Sequence, residues 1–183
     1  MKIFEFVLLV GFCLLGMNRM AHSQEQDTVV IKDSITKMKL DNKLIKLTKQ
    51  VVLKHGPGYY REYKEPVIKY RRVKKTSRDL HPSISKKNEG RVYYTVEYPY
   101  NMEEEIFYSE YSVKVYFWED LTIFDIFFGD GRGIQNYDKL SRAEKNKIVI
   151  PFKQRKPGKW VQDTIRNDKG DVIDIMNRYE DHK

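Results

Sequence analysis

Between Arg91 and Phe128 lie three runs, RVYYTVEYPY, EIFYSEYSVKVYFW and LTIFDIFF, rich in Tyr, Phe, Val and Ile and separated by only a few residues. Aromatic and β-branched side chains suit a pleated, half-buried surface, and runs this close together are joined by hairpins. The pattern predicts an antiparallel meander over 91–100, 105–118 and 121–128. Within the second run, period two puts Phe107, Tyr111, Val113, Val115 and Phe117 on one face and Tyr108, Glu110, Lys114, Tyr116 and Trp118 on the other. The first face is expected to be core and the second partly wet.

A meander needs a cover, and one lies upstream. Leu40, Leu44, Leu47 and Val51 recur at helical spacing, with Lys43, Lys46 and Lys49 on other faces. Lys54 and His55 suit the negative end of that helix, Gly56 its left-handed cap and Pro57 its stop. Thr28 to Ile31 is a short β-prone run, Tyr59 to Tyr63 a helical turn, and Val67 to Val73 a strand. Residues 74–90 are polar and basic and read as a mobile loop. Gly129 to Gly133 reads as a tight turn leaving the sheet, and Ser141 to Glu144 has capping-box spacing for a short helix. Lys147 to Phe152 reads as a strand, and 160–165 with 172–179 as a terminal hairpin around Asn167–Gly170.

These elements specify an α+β domain: one long N-terminal helix packed on a curved antiparallel sheet, with the meander followed by the C-terminal hairpin. The order resembles that of cystatin-like and NTF2-like folds. It is a resemblance of element order alone, and no motif carries a function across with it.

The first residues are read as an address. An apolar run from Phe6 to Met17, a basic Lys2 and the small-residue pattern Ala21-His22-Ser23 match a secretory signal peptide cleaved after Ser23. Twelve apolar residues are too few for a bilayer span, which takes roughly 20. Residues 1–23 are thus expected to be the signal, 24–39 an N-terminal extension and 40–183 a single domain. The only cysteine, Cys13, leaves with the signal, so the remaining 160 residues form no disulfide and hold no thiol nucleophile. They also contain no Asn-x-Ser/Thr acceptor. A bacterial periplasmic or extracellular location is the expectation, with no membrane span after signal removal and no intracellular nucleic acid as partner.

Recognisable catalytic motifs are missing. His55, His81 and His182 are far apart in sequence, without zinc-type spacing, and there is no nucleophile elbow, P-loop or EF-hand pattern. No cofactor and no metal are expected. Glu103-Glu104-Glu105 reads as a solvated turn, and by period alone Asp125 faces water. If neighbouring strands instead cover both faces of its strand, Asp125 needs a partner such as Lys or Arg.

Charge is segregated along the chain. The formal net charge of +8 hides 18 basic and 6 acidic residues over 32–91, against 1 basic and 9 acidic over 92–130. Either the basic segment lies beside the acidic meander, or it is a surface for an anionic partner such as a polymer, a glycan or an envelope component. On the second reading Arg71 and Arg72 are ligand-binding candidates of the basic surface; a separate reading takes Tyr94, Tyr98, Tyr108, Tyr116 and Trp118 as an aromatic-lined concavity on the wet sheet face that binds a glycan or peptide. The function expected is a non-enzymatic binding domain. Two alternatives remain: a carboxylate-dependent hydrolase using Asp125 and Glu110 in a sheet cleft, and an inhibitor or immunity-type protein.

Overall fold

The computed structural model describes residues 28–75, 77 and 80–181. The proposed signal peptide, Arg78 and His182 lie outside them. The fold is α+β: helix α1 (Ser34–His55), strand β1 (Val67–Arg72), the short helix α2 (Pro82–Lys87), β2 (Val92–Tyr98), β3 (Val113–Trp118), β4 (Ile123–Phe128), β5 (Gly133–Ile134), helix α3 (Arg142–Lys147) and the hairpin β6 (Gly158–Arg166) and β7 (Val172–Asp181). Strands β1 to β5 form one antiparallel sheet in sequence order, and β6 and β7 pair only with each other.

Helix α1 begins well before the apolar stripe, because Asp33 caps it by accepting from the N–H groups of Ile35 and Thr36. Its buried side, with Leu44, Val51 and Val52, packs on Val96, Tyr98, Val113, Val115, Phe117, Ile126 and Phe128 of the sheet. Gly56 ends the helix differently from expectation. Its φ of −146° is not left-handed; glycine is needed because a Cβ there would stand 2.3 Å from the Phe128 ring. His55 also departs from the expected charged helix end. It is fully buried, with Nδ1–H donating to the Ile148 carbonyl at 3.0 Å and Nε2 accepting from the Tyr137 hydroxyl at 2.9 Å. Burial pulls its pKa below the ordinary value, which favours the neutral form.

Lys147 to Phe152, expected as a strand, form none, and residues 148–157 lie outside any strand. They run extended across the helix end, where the Ile150 N–H donates to the His55 carbonyl. The Gly129–Gly133 segment is the expected turn between β4 and β5, with Gly131 at φ +85° and the Arg132 guanidinium paired with Asp130. The capping box at Ser141 and Glu144 forms as the spacing predicts.

The largest departure concerns the second sheet face. Tyr116 and Trp118 are both 4% exposed and join Val73, Leu80, Tyr93 and Phe124 in a second apolar cluster, packed against Ile84. Residues 74–90, read from sequence as a loop, contain α2 and cover this face. The basic segment places Leu80 and Ile84 inward, and two scattered apolar residues make no periodic signal.

Charge pairing follows the same geometry. Lys69 of β1 and Lys114 of β3 both donate to Glu97 Oε1 of β2 at 2.9 Å, Arg91 reaches Asp120 at 3.3 Å, and Arg61 holds Glu105 at 3.1 Å. Glu105 is therefore buried and paired, unlike the solvated turn expected. Burial acts to raise the Glu97 pKa, but the two lysines outweigh it and hold the group below its ordinary value. The basic segment thus meets the acidic meander internally. Glu97→Gln is expected to cost about 1–3 kcal/mol at pH 7, since it leaves two half-buried ammonium groups without their counter-charge. The parent should lose this advantage as pH falls below 4.5 through the lowered pKa of Glu97. Urea unfolding at pH 7 and pH 3 reads both; equal stability of parent and variant at pH 7 would contradict it.

Candidate functional site

Asp125 is the one acidic residue in the apolar strand β4, and it is 5% exposed. Its register opposite Tyr116 places it on the second sheet face, beneath the 80–88 segment rather than in water. The partner is neither Lys nor Arg. The backbone N–H of Asn136 donates to Asp125 Oδ1 at 2.8 Å. Asn136 holds that position at φ +52°, a left-handed conformation that asparagine tolerates better than most residues. The Asn136 side chain in turn accepts from the Lys139 ammonium.

Asp125 lines two adjoining lobes of a cleft, of about 470 and 220 Å³, which share Ile84, Asp125 and Asn136. The larger lobe is walled by His81, Ser83, Phe127 and Gln135. Around the smaller one stand Lys87, Asn88, Arg91, Asp138 and Lys139, over a floor of Trp118 and Phe124. Those two rings stack with centroids 4.0 Å apart, and the Arg91 guanidinium lies 4.2 Å over Trp118. His81 accepts at Nδ1 from the Ser83 hydroxyl at 2.8 Å, which leaves Nε2 as the donor. Lys87 is exposed at the end of α2 and has no ion-pair partner among the described residues.

Burial pushes the Asp125 pKa up to about 6, and nearby Asp138 adds to the rise, while the Asn136 N–H, Lys139 and His81 act against it. A carboxyl group poised near neutrality in a cleft can accept hydrogen bonds, donate one, or exchange a proton. No group of three or more His, Cys, Asp or Glu residues placed to hold a metal occurs among the described residues. No helix among them is long and apolar enough to cross a membrane.

The aromatic side chains read from sequence as one concavity are separated by the fold. Tyr94 and Tyr98 lie on the helix face of the sheet, Tyr98 buried and Tyr94 half-buried. Tyr116 and Trp118 are buried on the opposite face. Tyr108 sits in the loop before β3, exposed, with the Arg155 guanidinium 4.1 Å over its ring. Arg71 is half-buried on β1, where Thr28 bridges its backbone, and Arg72 donates to the Gly90 carbonyl at 2.7 Å. Glu110 lies in the exposed loop before β3 and does not line the Asp125 cleft. The carboxylate that does share it is Asp138. Of the cleft residues, the sequence singles out Asp125 as a polar interruption and Trp118 as a ligand-binding candidate; His81, Asn136 and Lys139 are brought in by loops without periodicity.

No protein-family model, curated protein or solved structure matches the chain. Nothing confirms the cystatin-like or NTF2-like element order expected from the sequence, and the functional reading of this chain rests on its own cleft.

Proposed function

We propose that this protein is a binding domain whose ligand is an acidic oligosaccharide seated in the Asp125 cleft. The observation that carries the reading is a buried carboxyl group flanked by the amides of Gln135, Asn136 and Asn88, with lysines at the rim. Amides and a carboxyl group match sugar hydroxyls, and Lys87 and Lys139 match the ligand's carboxylates. A domain carried outside the cytoplasm by the signal read in residues 1–23 would meet such glycans at a bacterial surface.

Calorimetric titration of the full chain with a hexagalacturonate, and with an uncharged hexasaccharide as control, tests this. Binding of the acidic sugar in about the micromolar to millimolar range is expected, weakening with salt. A Lys87→Ala, Lys139→Ala double variant should bind it at least about tenfold more weakly. Equal affinity for both sugars, or none for either, would overturn the reading.

The raised pKa of Asp125 and its neighbour Asp138 favour one second reading, carboxylate-dependent glycoside hydrolysis. Release of new reducing ends from the acidic sugar by the parent, abolished in Asp125→Asn, would replace binding with catalysis as the function.

A further inference from the structure

The helix face of the sheet carries a second cleft, of about 440 Å³, between α1 and the 60–66 loop. It is lined by Ile45, Pro66, the three rings of Tyr60, Tyr63 and Tyr98, the carboxylates of Glu62 and Glu65, and Lys64. Tyr98 is 2% exposed, and its hydroxyl has no hydrogen-bond partner among the described residues. A buried hydroxyl is costly to leave unpaired, so this one marks a place where a polar group fits.

The electrostatics say which kind of group. Burial first, then the nearby Tyr60, Glu62 and Glu65, push the ionisation of Tyr98 well above the ordinary phenol range. An oxygen in negative potential is matched by an N–H donor carrying positive charge, and an anion would be repelled. The ring faces already carry cations: Lys49 Nζ lies 5.0 Å over Tyr60 and Lys64 Nζ 4.9 Å over Tyr63. Glu62 is engaged by Lys49 at 3.2 Å and by the Tyr60 hydroxyl. Two groups are left unmatched: the Tyr98 hydroxyl and the exposed Glu65 carboxylate, which has no ion-pair partner among the described residues. A neutral acceptor beside a free carboxylate, among aromatic rings, is the complement of an ammonium group.

We infer that this cleft binds a primary ammonium group, of the kind carried by a polyamine or a lysine side chain, with its N–H donated to the Tyr98 hydroxyl and its charge against Glu65. The site is on the opposite sheet face from Asp125 and does not depend on the oligosaccharide reading.

The test is an NMR titration of the ¹⁵N-labelled full chain with spermidine, and separately with an N-acetyl-lysine amide. Fully N-acetylated spermidine, which lacks the charge, serves as control. Saturable shifts at α1 and the 60–66 loop are expected, with a Kd of about a millimolar or tighter. Glu65→Gln and Tyr98→Phe should each weaken binding by about five- to tenfold. Tyr98→Phe removes an unpaired hydroxyl and should fold, which a thermal melt checks; Glu65→Gln changes an exposed residue and keeps the test decisive in any case. The tighter of the two amines identifies the source of the ammonium group. No saturable response at about ten times a millimolar Kd, equal binding of the acetylated control, or parent-like affinity in a folded Glu65→Gln would overturn the inference.

Discussion

Replacing Tyr59 by alanine is expected to remove about 3–5 kcal/mol of stability, the range for deleting a buried aromatic ring. Tyr59 is fully buried at the point where the helix end, the sheet and the 151–153 segment meet. Its ring contacts Phe128, Phe152 and Phe107 at centroid distances of 4.8, 5.1 and 5.8 Å. Its hydroxyl donates to the Pro151 carbonyl at 3.0 Å and accepts from the Lys153 N–H at 3.0 Å and Arg132 Nη2 at 3.1 Å. Tyr59→Phe separates the two contributions. It keeps the ring but takes the acceptor from Lys153, for a loss of about 1–3 kcal/mol. Urea denaturation of the three proteins measures both values, and amide exchange at Lys153 should speed up in the Phe variant. A loss below about 1 kcal/mol for Tyr59→Ala would mean that the pocket collapses around the deletion or that the ring is not packed as described.

Asp125→Asn is expected to act in the opposite direction. The native carboxyl group titrates at about 6 instead of its ordinary 3.8, so the folded state binds the proton more tightly than the unfolded chain. Its contribution to stability is therefore full below pH 3.8 and is lost as pH rises through about 6. Asparagine keeps an oxygen for the Asn136 N–H and carries no charge to bury. The variant should exceed the parent by about 1–3 kcal/mol at pH 8, with the difference shrinking toward zero by pH 4. His55 works the other way, because its depressed pKa makes protonation below about pH 6.5 favour unfolding. Taking the difference between parent and variant cancels that effect. A variant that is more stable yet binds or processes the acidic sugar poorly would mark Asp125 as a residue kept for function at a cost in stability. A variant less stable than the parent at pH 8 would show that the carboxylate is well compensated and structural.

The meander was legible because each strand announces itself within a few residues. Val113, Val115 and Phe117 fall on one face by period two, and that face is the core under α1 in the structure. The capping box at Ser141 and the turn at Gly131 were legible for the same reason, since their signals are local. Tyr116 and Trp118 were misplaced on a wet face. Alternation distinguishes two faces but says nothing about what covers each, and the cover here is a basic, loop-like segment folded back onto the sheet. The aromatic candidates failed as a group because Tyr98 and Tyr116 lie on opposite sides of one sheet. The Asp125 cleft was only half legible: an Asp in an apolar strand is conspicuous, but His81 and Asn136 reach it from positions set by chain paths with no period.

The sequence by itself determined the elements and the charge distribution. Residues that alternate or recur at helical spacing dictate strands and a helix through local backbone and side-chain preferences, and one charge-rich segment beside another of opposite sign follows from composition alone. The tertiary structure decided what those elements enclose. Which sheet face is covered, whether Asp125 meets water or the Asn136 N–H, and whether Lys69 and Arg91 face a partner or pair with Glu97 and Asp120 all depend on contacts between residues distant in sequence. Burial and electrostatic pairing are properties of the assembled surroundings, and no periodicity along the chain encodes them.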